Sequence, residues 1–275
     1  MKMQISILLR GGLGNQLFQA TAGLFFAKKF DANAILDDSA IVGHSDWTRR
    51  SWLRKFDIEN LFNSNQIFWM NKSRVMLKSL NMLNSKESSF LTESQLDSMT
   101  RLQESVSVYD WFQTKQYAEA LKPTLQQGIQ KSKLLKSYEL AEDLDAKSRV
   151  AGIHIRLGDF RKTKDGPLSA SWYRRAIQRV INDYEITELH CYSDEIESAY
   201  KIVKPFSSKV KLTFPEEFRI LNPQELLRSL TCYPIYISSN STLSWWASFF
   251  NQNIQSKIYC NWNDKLRLEK WVYIE

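Results

Sequence analysis

The sequence predicts an α/β protein built from two successive Rossmann-like domains. Short apolar runs alternate with segments of helical periodicity in both halves of the chain, which is the pattern of parallel sheets covered by helices. The 275 residues, of which 43% are hydrophobic, can fill two such cores. We expect an N-terminal domain at 1–135 and a C-terminal domain at 136–275. They should face each other across a cleft, with ligands in the loops that follow strands.

The N-terminal half opens with a strand–helix–strand unit, and this connection implies a parallel sheet. An apolar run at 5–9 is followed by a glycine turn, and apolar residues at helical spacing predict a helix over 16–29. A second strand is expected at 34–36. Beyond it the sequence shows no sheet pattern between 45 and 105. The remaining expectations are helices near 65–83 and 93–98, a strand at 106–111, a helix at 115–121 and a connecting helix within 122–148.

The C-terminal half repeats the alternation. Asn222 followed by Pro223 is a helix start signal, and Ser169 or Ser171 is a candidate N-cap for an earlier helix. Strands are expected at 149–155, 188–192, 210–214, 235–237 and 257–259, with helices at 169–184, 195–203, 223–232 and 243–250.

The net charge of +7 favours an anionic partner, such as nucleic acid, a phosphate-bearing ligand or an acidic membrane surface, although it also serves solubility. The three cysteines are widely spaced, and neither they nor the three histidines show metal-ligand spacing, so no metal site or disulfide framework is expected. Unpaired cysteines indicate a reducing compartment. With neither a signal peptide nor a run of about 18–20 apolar residues, the sequence predicts a cytoplasmic protein, peripheral to a membrane at most.

The first candidate segment is the glycine turn at 11–16. Glycines let backbone amides approach a ligand closely, and a helix N-terminus favours an anion. Gly14 and Asn15 are therefore candidate ligand contacts. The spacing fits neither a Walker loop nor the dinucleotide fingerprint, and a plain strand-to-helix turn explains the segment equally well.

The second candidate segment is 154–159, at the end of the first strand of the second half. Alternate residues of a strand share a face, so His154 and Arg156 are expected to point the same way. Arg156 can form paired hydrogen bonds to phosphate oxygens, with His154 as a further donor. Asp159 is placed to hold the guanidinium, and the alternative is a surface ion pair of little energetic weight.

Asp194 is the third candidate, because it follows a predicted strand. Its carboxylate can cap the next helix, which is the default interpretation, or accept two hydrogen bonds from a base such as guanine.

The fourth candidate segment is the polar stretch 238–242 between a strand and a helix. Asn240, Ser241 and Thr242 combine hydroxyls, an amide and a helix N-terminus, which suits a diphosphate. Trp245 and Trp246 follow in the first turn of that helix, where consecutive side chains point about 100° apart, and both are expected in the core.

Four segments together resemble glycosyltransferase family 11, the α-1,2-fucosyltransferases. The chain carries GGLGNQLFQ at 11–19, YDWFQ at 109–113, HIRLGD at 154–159 and SNSTLSWWA at 239–247, in the order of the family's motifs. The third of these is similar to the His-x-Arg-Arg-x-Asp motif shared by α-1,2-, α-1,6- and protein O-fucosyltransferases. One departure is Leu157, which stands at the second arginine of that motif and should point away from Arg156.

This resemblance implies a GT-B-type fold, in which the C-terminal domain binds the donor GDP-β-L-fucose and the N-terminal domain faces the acceptor. It implies an inverting transfer to the 2-hydroxyl of a galactoside, with no cofactor and no divalent metal. Arg156 and the amides near Ser241 would then stabilise the departing GDP. Relatives of this type occur in bacteria that decorate surface polysaccharides such as O-antigen. The expected partner is therefore a galactose-terminated oligosaccharide, lipid-linked at the cytoplasmic face in one version.

The catalytic base is the least determined part of the site. Asp37 ends a strand of the first domain beside Asp38, so its carboxylate is a candidate for taking the acceptor proton. Two alternatives stay open: one of the pair caps the turn, or the departing phosphate itself accepts the proton.

Two other function classes compete with this interpretation. A protein O-fucosyltransferase or another nucleotide-sugar transferase would share the His-x-Arg segment. A non-enzymatic nucleic-acid-binding protein would suit the basic charge, but it should carry clustered Lys and Arg with stacking aromatics. The strongest basic cluster here is the single stretch 48–55, so we expect no nucleic-acid partner.

Overall fold

The computed structural model describes residues 2–41, 50–71, 90–131, 149–164, 166–215, 222–251 and 257–275. The chain forms two compact units, Met1–Lys136 and Ser137–Glu275. Each unit contains a parallel sheet with helices, which confirms the α/β class. The cleft between two domains, and their roles in binding acceptor and donor, stay predictions.

The first unit has a four-stranded parallel sheet. Its strands are β1 Gln4–Leu8, β2 Asn33–Asp37, β3 Ile67–Trp69 and β4 Val106–Val108, in the order β3-β2-β1-β4. Ile5 of the central β1 lies opposite Ala34 of β2 and Val106 of β4. Because every pairing is parallel, the carboxyl ends of the strands meet at one edge, from which the glycine turn and the loop after β4 emerge.

Helix α1, Leu13–Lys29, packs against this sheet and is buried on nearly all sides. It approaches β1 closely at Gly23, where an added Cβ would lie 2.9 Å from Ile7 Cγ1. The unit also contains α2 Ile58–Phe62, α3 Glu93–Ser98, α4 Lys115–Ala120 and α5 Lys122–Lys131. Among the described residues, no helix combines the length and the apolar character needed to cross a bilayer.

The second unit has a six-stranded parallel sheet in the order β10-β9-β8-β5-β6-β7. The strands are β5 Val150–Ile155, β6 Glu188–Ser193, β7 Lys211–Thr213, β8 Ile235–Ile237, β9 Lys257–Cys260 and β10 Val272–Tyr273. Strand β5 lies between β6 and β8, so the segments that follow these three strands leave one edge side by side. Three of the four predicted segments are therefore neighbours.

The helices of the second unit begin where the sequence signals predict. They are α6 Ala170–Tyr184, α7 Ile196–Val203, α8 Pro223–Leu230 and α9 Thr242–Phe250. Ser169 is the N-cap of α6 and accepts the Trp172 N–H, while Asn222 caps α8 in a capping box with Glu225.

Some expectations are wrong. Residues 67–69 form β3, paired with β2, and not the start of a helix, so the view that 45–105 lacks sheet is also wrong. The strand expected at 106–111 ends at Val108. Strand β10 was not expected at all. The remainder of the helix near 65–83, from residue 72, and the part of 122–148 beyond Lys131 lie outside the described residues.

Candidate functional site

Arg156 follows β5 and is held by two carboxylates. Its Nη2 donates to Asp159 Oδ1 at 2.7 Å, and its Nε lies 3.4 Å from Asp194 Oδ2. The Arg156 side chain is 23% exposed, so it is partly desolvated but still open to a ligand. The hydrogen bond to Asp159 uses one of the five N–H donors of the guanidinium, and the fork keeps donors for an anion. The predicted holding role of Asp159 matches this geometry.

His154 does not share the environment of Arg156. It lies within β5, is 2% exposed, and its Nδ1 lies 3.1 Å from Ser239 Oγ. Burial first, and the nearby Arg156 charge second, lower the pKa of His154 to about 3. The ring is therefore neutral at physiological pH and offers a single N–H. Strand alternation predicted a common direction for the two residues. Arg156 lies beyond the end of the strand, which explains why the His154 side chain is buried and the Arg156 side chain is partly exposed.

Asp194 has a role that the sequence did not predict. The N-cap residue of α7 is Glu195, so the default capping interpretation of Asp194 is wrong. The Asp194 carboxylate instead accepts the Leu157 backbone N–H at 2.9 Å, through Oδ1. Its other oxygen packs against Gly158, where an added Cβ would lie 2.5 Å from Oδ2. Asp194 thus ties the loop after β5 to the end of β6.

The side chain of Leu157 points into the core of the second unit, where it is 4% exposed. It therefore points away from the partly exposed Arg156, as the strand pattern suggested. The Leu157 backbone takes part in the loop network: its N–H donates to Asp194, and its carbonyl accepts the Arg161 N–H at 3.1 Å.

The serine-rich loop after β8 joins this cluster. Ser241 is the N-cap of α9, and its Oγ accepts the Ser244 N–H at 3.2 Å. Thr242 is the first residue of that helix, so the loop presents a helix N-terminus. Asn240 donates from Nδ2 to the Gly166 carbonyl at 2.8 Å, while its Oδ1 is buried with no partner in the described structure.

Trp245 and Trp246 are both fully buried, which confirms their assignment to the core. The Trp245 Nε1–H donates to the Leu266 carbonyl at 2.7 Å, so its polar atom is satisfied inside the protein.

The glycine turn of the first unit combines a left-handed glycine with side-chain hydrogen bonds. Gly11 has φ of 72°, a left-handed conformation that favours glycine, and an added Cβ would collide with the Asn15 side chain. Asn15 Oδ1 accepts from Gln113 Nε2 at 2.9 Å, which joins two of the motif segments. Gly14 is buried within α1.

Gln16 anchors that turn, and reasoning from the sequence missed it. Its Nε2 donates to the Gly11 and Arg50 carbonyls at 2.9 and 2.8 Å, and its Oε1 accepts the Leu53 N–H at 3.0 Å. The side chain is fully buried with both ends of the amide satisfied, so it fixes the turn to the segment at 50–53. A polar residue at a helix position expected to face the core was the available signal.

Asp37 and Asp38 have different partners. Asp38 is fully buried and accepts both Nε and Nη2 of Arg54, at 2.6 and 2.7 Å, as well as the Ser51 hydroxyl. Asp37 is 1% exposed, and its Oδ1 accepts the Ser39 N–H at 3.1 Å. Its capacity to act as a base stays a prediction, while the hydrogen bond to Ser39 is that of a turn cap.

Metal-ligand chemistry finds little support in the described residues. They contain no group of three or more His, Cys, Asp or Glu that could hold a metal ion. The chain has one Asp-x-Asp sequence, at 143–145, the pattern that can bridge a metal to a diphosphate, and it lies outside the described residues. Metal independence stays a prediction.

The sequence matches the family described as glycosyl transferase family 11 over residues 5–275. The chain belongs to glycosyl transferase family 11. It is therefore a glycosyltransferase, which favours the enzyme over the nucleic-acid-binding alternative. No curated protein matches the family 11 chain in sequence.

Solved structures place the family 11 chain in a known fold. An α-1,6-fucosyltransferase NodZ, soaked with GDP-fucose, is 11% identical with a TM-score of 0.58, over 91% of this chain and 93% of that one. NodZ from Bradyrhizobium is 12% identical at 0.56, over 90% and 93%. A variant of Arabidopsis thaliana FUT1 in complex with GDP is 12% identical at 0.55, over 91% and 69%. At these identities the similarity establishes the fold, which is the GT-B type.

Proposed function

We propose that this protein transfers L-fucose from GDP-β-L-fucose to the 2-hydroxyl of a galactoside, with inversion and without a metal ion. Family membership supports the reaction class. NodZ soaked with GDP-fucose and FUT1 in complex with GDP have the same fold. The observation that carries the donor assignment is the partly exposed guanidinium of Arg156, which follows β5 at the same carboxyl edge of the second sheet as the N-terminus of α9.

The donor site is proposed to bind the GDP diphosphate between Arg156 and the loop at 239–242. In the transfer, the bond from the fucose anomeric carbon to the β-phosphate oxygen breaks and negative charge develops on the diphosphate. Preorganised N–H donors at that position stabilise the charge without further rearrangement. Asp159 and Asp194 hold the guanidinium before the donor arrives, and neutral His154 adds at most one N–H.

The acceptor proton has two possible destinations. Asp37 is the carboxylate suggested by position, but a base must come within about 2.6–3.2 Å of the hydroxyl, and Asp37 is 1% exposed. Its burial favours the second route, in which the bond between fucose and the diphosphate breaks first, the acceptor oxygen then bonds to the anomeric carbon, and the departed diphosphate takes the acceptor proton. In that case positioning and charge stabilisation supply the catalysis.

The linkage is the part of the proposal that fold alone leaves open, because NodZ is an α-1,6-fucosyltransferase. The resemblance of the segments at 11–19 and 239–247 to motifs of α-1,2-fucosyltransferases supports the proposed α-1,2 linkage. We further propose a galactose-terminated, lipid-linked oligosaccharide of a surface polysaccharide as the acceptor, at the cytoplasmic face of a membrane that attracts the basic chain.

The test offers GDP-fucose with a panel of β-galactosides, a chitin oligosaccharide and a peptide acceptor, followed by linkage analysis of each product. We expect fucose on O2 of terminal galactose alone. Fucose on a primary hydroxyl would indicate α-1,6 transfer, and fucose on the peptide would indicate a protein O-fucosyltransferase. Either result would contradict the proposed linkage while leaving the donor assignment intact.

A further inference from the structure

Trp111 is an exposed aromatic side chain at the carboxyl edge of the first sheet. It is 41% exposed, although its neighbour Phe112 is fully buried. The Arg10 guanidinium lies over the Trp111 ring, 3.8 Å from the ring centroid, and also over the Tyr109 ring at 4.2 Å. With one face of the indole covered by this cation, the exposed area belongs to the opposite face and the ring edge.

The backbone holds Trp111 outward in a costly conformation. Phe112 has φ of 53°, in the left-handed region that side chains with a Cβ rarely adopt. Its ring packs with Phe26 and Tyr117 in the core, and Asp110 Oδ1 accepts the Trp111 N–H at 2.7 Å. Such strain persists where the surroundings impose it, and it is common at functional sites. Because the Phe112 side chain points into the core, the Trp111 side chain faces solvent.

Arg10 is held by aromatic rings and not by an acid. Among the described residues, no carboxylate lies within ion-pair distance of its guanidinium, and its Nε is buried without a hydrogen-bond partner. Its backbone N–H is fixed by Gln19 Oε1 at 3.0 Å. A planar cation stacked against an indole ring holds the ring in one orientation through cation–π attraction.

The surroundings of Trp111 are polar. Gln113, two residues further along the chain, donates from Nε2 to Asn15 Oδ1 at 2.9 Å, and Asn15 belongs to the glycine turn that follows β1, the neighbour of β4 in the sheet. An exposed aromatic plane flanked by amides is the chemistry that recognises a pyranose, because the apolar C–H face of a sugar covers the ring while its hydroxyls meet polar groups.

We propose that Trp111 is the stacking platform for a pyranose ring of the acceptor saccharide, with Arg10 as the positioning residue that fixes its plane. The inference rests on the proposed function, and it adds the location of the acceptor-binding surface. It predicts that loss of the indole weakens the acceptor and leaves the donor unaffected.

The experiment measures KM and kcat for a β-galactoside acceptor, the KM for GDP-fucose, and GDP-fucose hydrolysis without acceptor. We expect Trp111→Ala to raise the acceptor KM about tenfold, equivalent to about 1.4 kcal/mol. Trp111→Phe should raise it less, with donor KM and hydrolysis unchanged in both. Arg10→Lys keeps the charge but loses the flat group, and it should raise the acceptor KM while kcat is retained.

Tyr273→Ala is the matched control. Tyr273 is also 41% exposed and also stacks with an arginine, Arg267, whose Cζ lies 5.1 Å from the ring centroid, but it belongs to the edge strand of the other sheet. It should behave as wild type. An unchanged acceptor KM in Trp111→Ala, in a variant that melts like wild type, would overturn the inference alone. A wild-type protein that neither hydrolyses GDP-fucose nor transfers fucose would overturn the proposed function, and this inference with it.

Discussion

Gly158→Ala is the change that most sharply tests the geometry of the Arg156 loop. The added Cβ would lie 2.5 Å from Asp194 Oδ2, a distance that real Cβ atoms do not tolerate. The carboxylate cannot move away without losing the Leu157 N–H, which it accepts at 2.9 Å. Loss of a hydrogen bond to a charged group costs about 1.5–3 kcal/mol, and the 24% exposure of Asp194 lets water recover part of that.

A double-mutant cycle with Asp194→Ala isolates the energetic cost of the clash between the new methyl group and the Asp194 carboxylate, because this second change removes the carboxylate. Any cost of alanine at position 158 that does not involve Asp194 is present in both backgrounds and cancels in the cycle, whereas the steric cost against the carboxylate does not. We expect Gly158→Ala to lower the free energy of unfolding by at least about 1 kcal/mol more in wild type than in Asp194→Ala.

Urea unfolding of the four proteins gives the coupling energy, and titration with GDP gives the functional counterpart. In wild type, Gly158→Ala should also weaken GDP binding, because the displaced carboxylate no longer holds Arg156. Additive costs in the two backgrounds, with a coupling energy near zero, would refute the claim that Asp194 organises this loop.

Three further outcomes follow from the same structure. The His154 pKa of about 3 lies below its ordinary value of 6.5, so the unfolded state binds the extra proton between those values. The free energy of unfolding should therefore be highest above about pH 6.5, and His154 should make it fall by about 1.4 kcal/mol per pH unit between that value and about pH 3. Urea unfolding of His154→Asn should lack this contribution to the slope. Equal slopes in the variant and wild type would contradict a buried neutral ring. Asp37→Asn should keep transfer activity within about tenfold, since the carboxylate is buried against Ser39, whereas loss of transfer with intact GDP affinity would make Asp37 the base. Activity should persist in excess EDTA, and loss of activity that Mn²⁺ specifically restores would place the enzyme in a metal-dependent class.

Much of the second unit could be predicted because its signals are local. Ser169 and Asn222 cap their helices through bonds to residues two or three positions away, and those bonds are fixed by the helix itself. The position of Arg156 after an apolar strand was equally local, and parallel strands bring such ends to one edge in any arrangement.

The features that the sequence did not predict depend on which strands are neighbours in the sheet. Asp194 bonds to Leu157, 37 residues away, only because β6 lies beside β5, and nothing in either segment announces that order. A three-residue edge strand such as β3 is too short to show a period. Its hydrogen bonds come from pairing with β2, so Ile67 to Trp69 resembled the start of a helix.

The conformation of the aromatic segment after β4 could not be predicted from the sequence either. The apolar residues continue past Val108, so sequence pattern extends the strand to Trp111. Strand β4 instead ends at Val108; beyond it the Asp110 side chain accepts the Trp111 N–H, and Phe112 adopts a left-handed conformation. The outward position of Trp111 therefore follows from a backbone feature that composition does not show.

The most direct test of the donor assignment is the affinity for GDP, measured by calorimetry in EDTA for wild type, Arg156→Ala and Arg161→Ala. Arg161 lies in the short turn at 159–162 that follows Arg156, and it pairs with Glu195 at 2.8 Å, so its removal controls for the loss of one positive charge. We predict that wild type binds GDP and that Arg161→Ala binds within about threefold of it. Arg156→Ala should bind at least about tenfold more weakly, because the loss of even one charge-assisted contact to the diphosphate costs about 1.5–3 kcal/mol. Equal GDP affinity in Arg156→Ala and wild type would contradict the assignment.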